Sequence, residues 1–163
     1  MYMLTRTQTF PIPPLQLWEF IENPLNLNDI TPPDLCFQIV SEVPQQMYEG
    51  LIIEYRLKVP WFGRQSWLTE IKHIVRPGSF VDEQRVGPYR FWYHYHEIVE
   101  VEGGTRMIDR VHYQMPYGFL GRVLHYAVVQ RTLERIFEYR FNELAKRFGS
   151  LPDLAEVERR AGA

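Results

Sequence analysis

Through the middle of the chain, residues 35–115, hydrophobic and polar positions alternate with a period of two, and turn residues break the alternation at short intervals. That period puts successive side chains on opposite faces of a strand. It predicts strands over 35–43, 50–59, 65–75, 79–86, 89–99 and 105–115, with one more over 2–10. Pro44, the 60–64 segment, Arg76-Pro77-Gly78, Gly87-Pro88 and Gly103-Gly104 mark the turns between them. Connections this short join antiparallel neighbours, so the strands form a meander. On either side of the meander the period changes. Pro13 and Pro14 open a short helix through LQLWEFIEN, and LNLNDI makes a second helical turn before the Thr31-Pro32-Pro33 break.

Residues 118–148 carry the longest apolar stripe, formed by Leu120, Leu124, Val128, Leu133, Phe137, Phe141, Leu144 and Phe148. Arg131, Glu134, Arg135, Glu138, Arg140, Lys146 and Arg147 fall mostly elsewhere on the wheel, as a solvated back. Propensity alone does not hold such a helix, and the sheet is its available partner. The expected fold is therefore α+β: seven antiparallel strands curved around one long C-terminal helix, with two short helices after the first strand. Residues 1–148 form a single domain in this reading, and 149–163 a polar tail.

Composition narrows the function classes. The chain has 163 residues, 45% of them hydrophobic and 15% aromatic, enough for a substantial core. A net charge of -2 recommends no nucleic acid and no anionic membrane. No window approaches the roughly 20 apolar residues of a membrane span, so a cytoplasmic protein without stable membrane insertion is expected. Cys36 is the single cysteine, which excludes an internal disulfide; it reads as a small, buried thiol. There is no cofactor fingerprint, and none is expected. The sequence specifies no oligomeric state.

Candidate chemistry sits on the last two strands. Trp92, His94, His96 and Ile98 share one face of their strand, and Thr105, Met107, Asp109, Val111 and Tyr113 share a face of the next. Hairpin pairing across Gly103-Gly104 brings His94 and His96 near Met107 and Asp109. Asp82 or Glu83 on the preceding strand is placed to join them. Three readings are open. The groups satisfy one another as a buried polar network. Alternatively, His94, His96 and Asp109 ligate zinc or iron, or a His–Asp pair works as general base and acid. His73 and His125 stand alone, as solvated or core-satisfied residues. Arg85 and Arg90 flank the Gly87-Pro88 turn.

The sequence resembles the START/Bet v 1-like (SRPBCC) superfamily, and within it the bacterial ligand-binding branch. WEFIENPLNLNDITPPDLCFQI at 18–39, WLTEI at 67–71, FVDEQRVGPYRFWYHYHEI at 80–98 and GGTRMIDRVHYQMPYGFLG at 103–121 carry the resemblance. It implies a helix-grip fold whose cavity, between sheet and long helix, takes a small hydrophobic molecule such as a lipid, polyketide or isoprenoid. Trp67, Trp92, Tyr113, Leu124, Val128 and Phe137 are the expected walls, and His94, His96 and Asp109 the polar contacts. By the same resemblance Trp61-Phe62 is a lid at the cavity mouth, and Gly118 and Gly121 permit a tight approach beside it. A polyketide cyclase or dehydratase-like enzyme using the His/Asp pair is the alternative. An interaction protein with a filled core is the third.

Overall fold

The computed structural model describes residues 1–59 and 63–152. Seven strands form one antiparallel sheet: β1 (Tyr2–Phe10), β2 (Gln38–Ile39), β3 (Ile52–Val59), β4 (Gly63–Val75), β5 (Ser79–Val86), β6 (Phe91–Val101) and β7 (Gly104–Gln114), in the order β1-β7-β6-β5-β4-β3-β2. The meander β3 to β7 follows from the short turns, and β1 closes the far edge against β7, Tyr2 opposite Tyr113 and Phe10 opposite Thr105. Helix α1 (Pro14–Ile21) begins on its own proline, and single helical turns follow at Pro24–Asn28 and Pro33–Leu35. Residues 118–148 run beneath the sheet as α2 (Gly118–Leu124), a π turn (His125–Val129) and α3 (Gln130–Phe148).

Four expectations are corrected here. The strand expected over 35–43 shrinks to Gln38–Ile39, because Pro33 seeds a helical turn and Cys36 ends it in a left-handed conformation (φ 46°), which no ladder accommodates. Cys36 is exposed rather than buried. The C-terminal helix is interrupted by the π turn, so one extra residue is accommodated between Leu124 and Leu133. Leu120, expected on the apolar stripe, is 72% exposed near the start of α2, as are its neighbours Tyr117, Phe119 and Val123, whereas Leu124 one turn on reaches the cavity.

The core has two parts. Phe10, Leu17, Trp18, Phe20, Ile53, Phe80 and Leu144 pack where α1 meets the sheet and the end of α3. Trp92, Val111, Tyr113, Val129, Leu133 and Phe137 form the second group, between β6, β7 and the π turn. Glu22, buried at the end of α1, accepts a 2.8 Å hydrogen bond from the Trp18 indole and pairs with Arg76. The chain after α3 returns to the sheet: the Leu151 amide donates to the Thr9 carbonyl at 2.8 Å. The Trp61-Phe62 lid and the tail from residue 153 lie outside the described residues. Among the described residues no helix is long and apolar enough to cross a membrane.

Candidate functional site

The sheet curves around α3 without filling the space between them. A cavity of about 320 Å³ remains, walled by Ile53, Tyr55, Trp67, Phe80, Trp92, Leu124, Val129, Leu133 and Phe137. Its polar groups concentrate on β5, β6 and β7. There the register places Phe80 opposite His96, Asp82 opposite His94, and His96 opposite Asp109. Because the side-chain period is two, all four polar residues point to the helix side of the sheet.

They close into a ring. His94 reaches Asp82 through Nδ1 (3.0 Å) and Asp109 through Nε2 (2.9 Å). His96 reaches the same two oxygens in the opposite sense, Asp82 through Nε2 (2.9 Å) and Asp109 through Nδ1 (2.8 Å). The imidazole centroids lie 3.7 Å apart, with Phe80 stacked on the outer side of His96 at 4.2 Å. His94, His96 and Asp109 are buried. Asp82 keeps 22% of its side chain accessible and lines the cavity, where it also accepts from the Trp92 indole at 3.0 Å.

Electrostatics follows from this closure. Burial works to raise the Asp82 pKa, but the His94 charge and the hydrogen bonds from both imidazoles outweigh it and hold the carboxyl far below its usual range. Asp109 is lowered in the same way, the hydrogen bonds from His94 and His96 and their charges overcoming burial. Burial works to lower the His94 pKa, and the Asp82 charge, the hydrogen bonds to both carboxylates and the Asp109 charge together raise it.

A second polar group lies behind the cavity wall. The Tyr113 hydroxyl and His125 Nε2 are 2.8 Å apart, and Tyr2 stacks on the imidazole at 3.5 Å. Burial lowers the His125 pKa and leaves the ring neutral. Burial is also the main influence pushing the Tyr113 hydroxyl up to about 12. The π turn is what turns His125 inward between α2 and the sheet.

Solved structures share this arrangement of sheet, short helices and long C-terminal helix. The Zhui aromatase/cyclase from Streptomyces sp. R1128 matches with a TM-score of 0.63 and 19% identity over 98% of this chain and 95% of that one. Ara h 8.0201 matches at 0.58 and 16%, over 88% of this chain and 98% of its own. A Chromobacterium violaceum protein matches at 0.68 and 11%, over 94% of this chain and all of its own. This is the START/Bet v 1-like helix-grip fold. No protein-family model matches the chain, and no curated protein is similar to it.

In the helix-grip frame, the expected site residues separate into two groups. Trp67, Trp92, His94, His96, Asp109, Leu124 and Phe137 all line the cavity. Tyr113 and Val128 do not. Tyr113 is taken up by Tyr2 and His125, and the π turn carries Val129 to the wall in place of Val128. The choice between Asp82 and Glu83 falls to Asp82; Glu83 faces outward, 2.9 Å from Lys72 and also paired with Arg85. Alternation with Phe80 was the signal available in the sequence for Asp82. Arg140, assigned above to the solvated back, stands on the cavity wall instead. His73 is solvated, and His125 is held in the core by Tyr113. Gly121 is needed for a close approach, since a Cβ there would overlap the Pro116 carbonyl oxygen.

Among the described residues, the group whose donor atoms could hold a metal ion is Asp82, His94 and His96, beside the His94, His96 and Asp109 set expected from the sequence. Donor atoms of Asp82, His94 and His96 lie within 4.8 Å of one another. Imidazoles and a carboxylate suit zinc or iron. Yet each ring nitrogen already faces a carboxylate oxygen at 2.8–3.0 Å, so a cation would have to displace the protons that now hold the ring together.

Proposed function

We propose that the chain binds a small, largely hydrophobic molecule in the cavity between sheet and C-terminal helix. The observation that carries this reading is the cavity itself. Bulky aromatics surround it, and about 320 Å³ remains open between them. That volume falls at the lower end of the roughly 300–1,000 Å³ typical of ligand pockets. Binding is enclosure: apolar surface leaves water against Trp67, Trp92, Leu133 and Phe137, and the polar ring orients what enters. A filled-core interaction protein would have closed this space.

The alternative, an enzyme of the polyketide cyclase or dehydratase type, requires an imidazole nitrogen free to take a proton from substrate. All four ring nitrogens are engaged by carboxylates, which favours binding over catalysis. Native mass spectrometry of the purified protein, followed by denaturing extraction, tests the proposal. A co-purified organic mass, or saturable uptake of a neutral apolar probe such as 1-decanol, is the expected result. Failure to bind any apolar probe would overturn it, and turnover lost in His94→Ala would replace it with the enzyme reading.

A further inference from the structure

Arg140 is the one arginine of α3 that lines the cavity. Arg135 and Arg147 pair with Asp34 and Asp29 on the surface, and Arg131 is exposed. Arg140 has no such partner among the described residues. Its guanidinium carbon lies 5.2 Å over the Phe137 ring, and its Nε is buried without a hydrogen bond. Arg140 is half-buried, and its Nε, cut off from water and unbonded, is a donor that an anion entering the cavity would satisfy.

The polar ring does not supply that anion. Asp82 and Asp109 each turn one oxygen to both imidazoles at 2.8–3.0 Å, and among the described residues no ion pair joins either carboxylate to Arg140. Arg6, opposite Asp109 in the β1–β7 register, adds a further cation beside Arg140 in the recess under β1. The Tyr55 hydroxyl also lines the cavity and has no hydrogen-bond partner among the described residues; burial and then the Asp82 charge raise its pKa, with the Arg140 charge acting against them. A guanidinium and a neutral hydroxyl, both able to donate, therefore line a cavity that is mainly apolar outside the polar ring.

We propose that the ligand is a monoanionic amphiphile, a carboxylic acid with an apolar body. Its carboxylate sits on Arg140 and the Tyr55 hydroxyl, and its body lies along Trp67, Trp92 and Leu124. This rests on the cavity-binding reading above and adds the charge of the ligand's head. Arginine matches a carboxylate with two parallel N–H donors, which makes the head group selective rather than merely tolerated.

Isothermal titration of the full chain with decanoate and with 1-decanol separates the two levels. In Arg140→Gln the ratio of decanoate to decanol affinity is expected to fall about ten- to hundred-fold, the value of a charge-assisted hydrogen bond. Decanol affinity should fall less than decanoate affinity, and Arg140→Lys should keep part of the preference. A ratio unchanged in Arg140→Gln overturns the anionic head and leaves the cavity reading standing. Binding of neither compound to the wild type overturns both. Should Arg140→Gln fail to fold, Tyr55→Phe carries the test: a loss confined to decanoate supports the proposal, and an equal effect on both compounds overturns it.

Discussion

His94 and His96 share the same two acceptors: each imidazole bridges Asp82 to Asp109, in opposite senses, with ring centroids 3.7 Å apart. Three adjacent strands are thereby tied together on the cavity side of the sheet. The tie is ionic and buried, so its strength depends on protonation.

Stability should therefore pass through a maximum in mildly acidic solution. The lowered pKa values of Asp82 and Asp109 contribute stability above about 3.8, their ordinary value, and that contribution is lost as pH falls below it. The raised pKa of His94 contributes stability that is complete below about 6.5 and is lost as pH rises beyond it. Melting temperatures measured across pH 3–9 should decline on both sides of that window. A curve that keeps rising from pH 6.5 to 8 would contradict the assignment for His94.

Breaking the ring on one side should cost more than its hydrogen bonds. Asp109→Asn leaves imidazolium charge buried with half its compensation, which destabilises by about 3–5 kcal/mol in comparable buried pairs. Urea denaturation at pH 6 measures it. The same variant should release the His94 proton at lower pH, visible by NMR titration of the imidazole carbons.

Filling the cavity should abolish binding without unfolding the protein. Ile136 lines the cavity and is half-buried. Ile136→Trp is expected to lower affinity for an apolar ligand at least tenfold, at an overpacking cost of about 1–3 kcal/mol. Calorimetry and a thermal melt on the same sample separate the two effects. Trp92→Ala acts in the opposite sense: it enlarges the cavity, removes a donor to Asp82, and should cost about 3–5 kcal/mol.

Residue deletions should distinguish the π turn from regular helix. Leu124 and Val129 both face the cavity, five residues apart; removing exposed Ala127 restores the four-residue spacing of an α-helix and keeps both inward. The expected cost is about 1–2 kcal/mol, chiefly from disturbing the His125–Tyr113 hydrogen bond. Deleting Glu138 instead rotates Leu144 out of the core and should cost about 3–5 kcal/mol. Equal losses in the two deletions would contradict the register described here.

The sequence by itself determined the order of elements, the meander and the inward faces of β6 and β7. Strict alternation along 91–101 and 104–114 needs no partner to be read, and it already put Trp92, His94, His96 and Asp109 on one side. What it left to the tertiary structure depends on how elements meet. Asp82 was chosen over Glu83 by cross-strand registers on both sides of β5, one of them shifted by irregularities in β4 that alternation does not count. Val129 replaced Val128 because a π turn changes the phase of a helix without a distinctive residue to announce it. Arg140 reads as a surface charge on a helical wheel and becomes a cavity group only when the sheet curves over it. Periodicity assigns a side chain to a face; the packing of one face against another decides whether that face meets solvent, core or cavity.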